Sequence, residues 1–217
     1  MILLSGNCCW RVCNAAAWQR RPRGCPTMNI TAGQIIGFSW LLFAAYWIIA
    51  ALGAKRPAKR ERVGERAGYI IFMLLGFFLL YSGDPRFGAL NQRFAPEKPW
   101  LDYLGAAMTL AGVLFAIWAR YTIGKEWSAE IQIKQGHELI RLGPYAHIRH
   151  PIYSGILVAL AGTALSINRY RAILGVGFFL AGFVRKARKE EVLLAREFGA
   201  AFDDHRRHTG FFLPRFS

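Results

Sequence analysis

The chain has 217 residues, a length that suits one domain; 54% of them are hydrophobic, yet the formal net charge is +15. In a soluble domain such a charge would point to nucleic acid, but the apolar residues here fall in long uncharged blocks with Lys and Arg between them. That is the positive-inside pattern of a membrane protein, and no basic face with interleaved aromatics lies outside the blocks, which argues against nucleic acid as a partner.

All four cysteines (Cys8, Cys9, Cys13 and Cys25) precede the first apolar block, and none forms a Cys-x-x-Cys pair of the kind a zinc site uses. Residues 1–27 mix Cys, Arg and Pro without periodicity, so they read as a disordered N-terminal extension that carries no chemistry. A chain that starts at Met28 is expected to fold.

A spanning helix needs about 20 apolar residues. Block 30–54 has no charged residue and qualifies outright; block 67–83 is equally free of charge but short. The third block, 101–119, has Trp100 and Tyr103 at one end and Trp118 and Tyr121 at the other, as interfacial aromatics should be. The fourth, 152–184, is too long for one span and is interrupted by Asn168-Arg169-Tyr170-Arg171, so it reads as a helical hairpin. Gly155, Ala159 and Gly162 are expected to let the two legs approach closely. No Gly or Pro stands between Phe183 and Phe198, so the second leg should continue out of the membrane as one helix and stop near Gly199.

The sequence thus predicts an all-α, polytopic membrane protein with five transmembrane helices. Residues 28–119 form a three-span region, and 120–217 hold the hairpin and a cytosolic cap. With the N-terminus outside, segments 55–66, 120–149 and 185–217 carry 6, 5 and 8 Lys and Arg, against 3 in 84–99, 2 in 167–171 and 4 in the extension. That asymmetry places the C-terminus in the cytosol.

Chemistry concentrates in two stretches, 137–153 and 185–199. Gly143-Pro144 signals a turn, and Pro151 suits the first position of a helix, where its missing N–H is no loss. Arg149 and His150 therefore stand at a helix N-terminus, beside free backbone N–H groups and the positive end of the helix dipole, an arrangement suited to an anion. The same two residues could instead anchor the helix end to lipid phosphates. His147 and His150 have the spacing of two metal ligands, but no Cys or carboxylate completes a set nearby in sequence, so no metal is expected. Gly175-Val176-Gly177 lacks a third glycine and lies in an apolar span, where it reads as packing rather than a dinucleotide loop. Glu126, Trp127 and Glu130 read as the interfacial end of a loop, and His205 and His208 as solvated cap residues.

The ordered set His137-Glu138-Leu139-Ile140, Gly143-Pro144-Tyr145, Arg149-His150-Pro151-x-Tyr153-x-Gly155, a hairpin, Glu190-Glu191-x-x-Leu194 and Phe198-Gly199 resembles the isoprenylcysteine carboxyl methyltransferase family. That family is related to the membrane phospholipid N-methyltransferases. The resemblance implies a five-helix bundle that binds S-adenosylmethionine under a cytosolic cap, with a lipid-tailed substrate entering from the bilayer. It implies that His137, Glu138, Leu139 and Ile140 line the cofactor, with Tyr145, Arg149, His150 and Tyr153 around its methionine moiety. One of Glu190 and Glu191 resembles the carboxylate that holds the cofactor, and Arg185 or Arg188 the arginine that meets the substrate carboxylate. Where the family continues with Tyr-x-x-Tyr after Phe-Gly, this chain has Phe202 and His205.

The residue chemistry agrees with this assignment independently. Arginine and histidine at a helix N-terminus suit the cofactor's carboxylate, a glutamate its ammonium or ribose diol, and tyrosine faces its sulfonium or adenine. Methylation of a carboxylate needs no general base, because that acceptor is already ionised at neutral pH. The alternative is N-methylation of a phospholipid or another amine, which would need a base such as Glu190, Glu191 or His150. An NADPH-dependent lipid reductase would need more basic residues in 120–149. A transporter or structural membrane protein would be expected to show charges or breaks inside the spans.

Overall fold

The structure is a computed structural model that describes residues 30–52, 63–83, 85–124 and 139–215. The extension 1–27 lies outside them, as do His137, Glu138, Glu126, Trp127 and Glu130. Among the described residues six α-helices follow in order: α1 (Ala32–Leu52), α2 (Val63–Tyr81), α3 (Pro99–Ile123), α4 (Pro151–Ile167), α5 (Tyr170–Phe198) and α6 (Ala200–His208). Two 3-10 turns, Pro85–Asn91 and Gly143–Ala146, join them, and the β structure among the described residues is one isolated parallel bridge between Ile148 and Gly210.

The all-helical expectation therefore holds. Two helices, α1 and α3, are long and apolar enough to cross a membrane; the apolar run Arg66–Tyr81 of α2 and the whole of α4 are shorter. Many large apolar side chains of α1 face outward, among them Phe38, Leu41, Ile48 and Ile49. In water such a surface would be a liability, whereas against lipid tails it is ordinary.

Small residues decide which helices pair. A Cβ at Gly112 of α3 would stand 2.5 Å from the Gly155 carbonyl oxygen of α4, and one at Gly162 would stand 2.5 Å from the Gly105 carbonyl oxygen. The same kind of seam joins α2 to α5, where a Cβ at Gly76 or Gly175 would stand 2.8 Å from the other's carbonyl oxygen. Backbones meet this closely only where side chains are absent. This corrects one expectation. Gly155, Ala159 and Gly162 pack α4 on α3, not on the other leg of its own hairpin, because α3 offers the complementary Gly105 and Gly112. The α4–α5 interface is much the smaller of the two that α4 makes with helices α3 and α5.

Buried hydroxyls reinforce the α3–α4 seam. Thr109 Oγ1 donates to the Gly105 and Ala159 carbonyls at 2.9 and 3.2 Å, and Trp40 Nε1 of α1 donates to Thr163 Oγ1 at 3.1 Å. At the hairpin turn Asn168 takes left-handed backbone angles (φ 52°, ψ 46°) and stops α4. Helix α5 then runs for 29 residues, roughly 43 Å at 1.5 Å per residue, and Gly199 at φ 50° ends it. The second leg therefore extends well beyond a ~30 Å hydrocarbon core, as its sequence implies.

Candidate active site

Pro151 starts α4, and His150 is the residue just before it. From the other side, the second half of α5 passes this point with Phe183, Lys186, Glu190 and Glu191. A helix turns about 100° per residue, so residues 183, 186 and 190 share one face and residue 191 stands at its edge. The sequence thus sets two carboxylates opposite an arginine and a histidine.

The contacts are direct. Arg149 Nε donates to Glu191 Oε1 at 2.6 Å. His150 lies between the two carboxylates, with Nδ1 3.5 Å from Glu190 Oε2 and Nε2 3.4 Å from Glu191 Oε1. Tyr153 Oη donates to Glu190 Oε1 at 2.6 Å. Aromatic rings wall the cluster: Tyr153 stacks on Phe183 at 4.8 Å between centroids, and Phe211 meets His150 edge-on at 5.0 Å. Tyr145 is buried nearby, in an apolar group with Ala119 and Ile152, and Ile140 packs against that group.

The C-terminal segment closes the cluster from outside. Gly210 N donates to the His147 carbonyl at 2.9 Å, Arg149 N to Gly210 at 2.9 Å and His150 N to Phe211 at 3.3 Å. Ser154 Oγ donates to the Phe212 carbonyl at 2.6 Å, and the Arg149 guanidinium also reaches the Thr209 carbonyl. Helix α6 is tied on by Arg141, whose Nη1 is 3.0 Å from Asp204 Oδ2.

Electrostatics follow from this enclosure. Burial alone would lower the His150 pKa, but its bonds to Glu190 and Glu191 outweigh that and hold it above 6.5. Burial would raise both carboxyl groups; contact with His150, helped by Lys186 for Glu190 and by Arg149 for Glu191, holds both below 4.5. Tyr145 is pushed up by burial and by the Glu190 charge, so it is a neutral donor. At neutral pH the cluster is two carboxylates around one guanidinium and an imidazole with raised proton affinity.

Such a cluster could serve only to tie α4 to α5. Yet buried ion pairs gain little over apolar packing of the same volume, and this one sits where a helix N-terminus, aromatic faces and both charge signs converge. The donor set is the kind that a polar, zwitterionic ligand can exchange for its own groups.

Of the residues singled out from sequence, the structure brings together Tyr145, Arg149, His150, Tyr153, Glu190 and Glu191. Leu139 and Ile140 are half-buried, Ile140 at the apolar flank. Arg185 and Arg188 are exposed. Arg188 stands about 160° around α5 from Glu190, while the Arg185 guanidinium lies against Gly68 of α2, its Nε 3.0 Å from where a Cβ would be. His205 is not a solvated cap residue: it is 6% exposed, on the buried face of α6, and its pKa is lowered by that burial and by Arg141 and Arg149. His208 is exposed, as expected.

Sequence reasoning missed Lys186, Tyr69 and the wall formed by Phe183 and Phe211. The Lys186 ammonium lies 5.5 Å from the Tyr69 ring centroid and 5.6 Å from that of Tyr153. Its spacing of four residues before Glu190 was a readable signal. Tyr69 gave none, because only the α2–α5 pairing brings it here.

Residues 105–196, from α3 through the Glu190–Glu191 pair, match the profile of the Isoprenylcysteine carboxyl methyltransferase (ICMT) family. The chain is 35% identical over 125 residues to the nickel-cobalt-cadmium resistance protein NccN of Alcaligenes xylosoxydans xylosoxydans, covering 56% of this chain and 57% of NccN. It is 30% identical over 141 residues to YpbQ of Bacillus subtilis, covering 60% of this chain and 80% of YpbQ. The fold resembles that of the eukaryotic intramembrane Ras methyltransferase ICMT, with a TM-score of 0.55, 19% identity, and coverage of 88% of this chain and 71% of that one. Motifs, profile match and fold agree, and the chain belongs to the isoprenylcysteine carboxyl methyltransferase family.

Proposed function

We propose that this protein is an integral membrane methyltransferase that uses S-adenosylmethionine to methylate the carboxylate of an isoprenylcysteine-like or other lipid-tailed molecule. The observation that carries the reading is the closed cluster of Arg149, His150, Tyr153, Glu190 and Glu191 at the mouth of the α4–α5 hairpin.

The donor set fits the cofactor. Arg149, at the N-terminus of α4, would take its carboxylate. Glu191, released from Arg149, would accept from its ammonium or ribose hydroxyls. Tyr153, Phe183 and Phe211 would offer faces to its adenine and sulfonium. When bound, the cofactor supplies an electrophilic methyl group on that sulfonium. Glu190, held ionised by His150 and Lys186, would steady the positive charge.

An acceptor carboxylate arrives ionised, at a pKa of about 4. No residue has to take a proton from it, so the work of the site is to position the acceptor and exclude water. The strap 209–215 and the aromatic wall would exclude water. Of the cations on α5, Lys186 lies beside Glu190 and Arg185 lies against α2, and both would meet the acceptor. Two cations there favour an anionic acceptor over a protonated amine.

The site would lie at the cytosolic surface of a five-span bundle, with α2, α4 and the first part of α5 spanning alongside α1 and α3. The Lys and Arg asymmetry supports this orientation, and snorkelling of Arg169 and of α5's basic run would let the shorter helices span. Purified protein incubated with cofactor carrying a labelled methyl group and a membrane extract should yield a labelled lipid-tailed ester that mild alkali hydrolyses. A labelled methylamine would transfer the reading to amine methylation, and no labelled product with any extract would overturn it.

A further inference from the structure

A cavity opens at the other end of the bundle, where α4 ends and α5 begins, with a volume of about 550 Å³. At 1.5 Å per residue, Thr163 lies roughly 20 Å along α4 from His150, so this cavity is separate from the cluster at the hairpin mouth. Its walls come from α1, α2, α3, α4 and α5 and are mostly apolar, through residues such as Ile36, Leu80 and Ile167. Two charged side chains border it, Asp102 and Arg171, together with the hydroxyls of Thr163 and Ser166.

The two charges do not neutralise each other. Arg171 is 9% exposed and spends two of its three nitrogens on the protein. Nε donates to Asn91 Oδ1 at 2.9 Å, and Nη1 to the Leu79 and Leu80 carbonyls at 2.7 and 2.8 Å. Its third nitrogen, Nη2, has no partner among the described residues, and the residue lines the cavity. Asp102 is exposed in the first turn of α3, where an acid suits the helix dipole. That accounts for an acid at this point, but not for one facing a cavity that also holds a buried, partly unsatisfied guanidinium.

We infer that this cavity binds the headgroup of a zwitterionic glycerophospholipid with a primary ammonium, its phosphate on Arg171 and its ammonium on Asp102. A buried guanidinium with a spare donor suits a phosphate oxygen, and a carboxylate suits an ammonium that still has three N–H groups. The apolar walls suit the start of the acyl chains, and the volume lies within the usual range for ligand sites. A water-soluble zwitterion would leave those walls wet. Because the cavity lies at the end of the bundle away from the cluster, the lipid is a bound component rather than the methyl acceptor, and the inference stands apart from the proposed activity.

The test is native mass spectrometry of the full chain, released from detergent after equilibration with phosphatidylethanolamine, phosphatidylcholine or phosphatidylglycerol. One phosphatidylethanolamine should stay bound, held roughly tenfold more tightly than either of the others. Asp102→Asn should abolish that preference. Gly33→Phe should block retention while the protein folds, since a Cβ at Gly33 would meet only Thr31 Oγ1, at 4.0 Å. Equal retention of the three lipids, or parent-like selectivity in both variants, overturns the inference.

Discussion

The two ends of the α4–α5 hairpin use charged and polar side chains in opposite ways. At the turn, Arg171 gives its bonds to the Leu79 and Leu80 carbonyls and the Asn91 amide, and Asn168 exchanges two bonds with the Ala95 backbone, at 2.8 and 3.0 Å. Those partners are fixed parts of other elements, so the bonds clamp α2 and the 85–98 loop to the hairpin. At the mouth, Arg149, His150 and Tyr153 bond to two carboxylates, groups that a ligand's own charges can replace. Arg149 also bonds the Thr209 carbonyl, but its carboxylate partner is one that a ligand's own anion can replace. On the proposed reading, the comparison separates bonds that hold the fold from bonds that a ligand would replace.

The largest effect should come from breaking the clamp. Arg171→Met leaves two buried helix-end carbonyls without their donor, at a cost of about 3 kcal/mol or more. Thermal unfolding in detergent should show a drop of several degrees, while the folded fraction should still bind S-adenosylhomocysteine. A variant that unfolds like the parent would remove the structural half of the contrast.

Next in size are the mouth variants, which should reverse the pattern. His150→Ala, and separately Glu190→Gln with Glu191→Gln, each remove charge-assisted contacts worth about 1–3 kcal/mol. Calorimetric titration of S-adenosylhomocysteine should therefore show affinity weakened roughly 5- to 150-fold. If both bind as the parent does while folding normally, the cluster is a second clamp and not a ligand site.

A smaller effect, on stability alone, follows from the titrations. The His150 pKa is raised above 6.5, so its contribution to stability is full below 6.5 and is lost as pH rises through the folded value. The carboxyl pKa values are depressed below 4.5, so their contribution is present above 4.5 and is lost as pH falls through the folded values. Thermal stability without ligand should peak between about 4.5 and 6.5 and decline on both sides. His150→Gln should flatten the alkaline decline and also weaken the acid one, because contact with His150 is the main cause that holds both carboxyl groups low; an unchanged alkaline limb would mean that His150 is not the group responsible.

The contrast also shows what a sequence can reveal about this fold. Helix limits, the hairpin turn and the long exit helix are functions of local composition, and the helices begin and end within a few residues of the expected positions. Arg149, His150, Glu190 and Glu191 were legible because each lies in a short ordered motif. Helix pairing was not, because glycines 155 and 162 show only that something approaches closely, and it is α3 rather than α5 that carries matching glycines. Tyr69 was hidden for the same reason. His205 was misread because polarity suggested solvent, while it lies on the buried face of α6.

The smallest expected effect tests the comparison at its finest point, because it concerns an arginine at the clamp that bonds to a carbonyl yet is only half-buried. Arg169 donates to the Asn91 carbonyl from the hairpin turn, two residues before Arg171. Unlike Arg171 it is in reach of water, so solvent can satisfy Asn91 when the side chain is removed, and the net loss should be about 1 kcal/mol or less. Arg169 also stands at the opposite end of the hairpin from the cluster, beyond the reach of a screened charge at physiological salt, about 8 Å. Arg169→Ala should therefore leave S-adenosylhomocysteine affinity within about twofold of the parent, far below the roughly 1.4 kcal/mol that a tenfold change requires. A loss comparable to that of His150→Ala would mean that the two ends of the hairpin are energetically coupled, and that the division into permanent and exchangeable partners does not describe how this protein works.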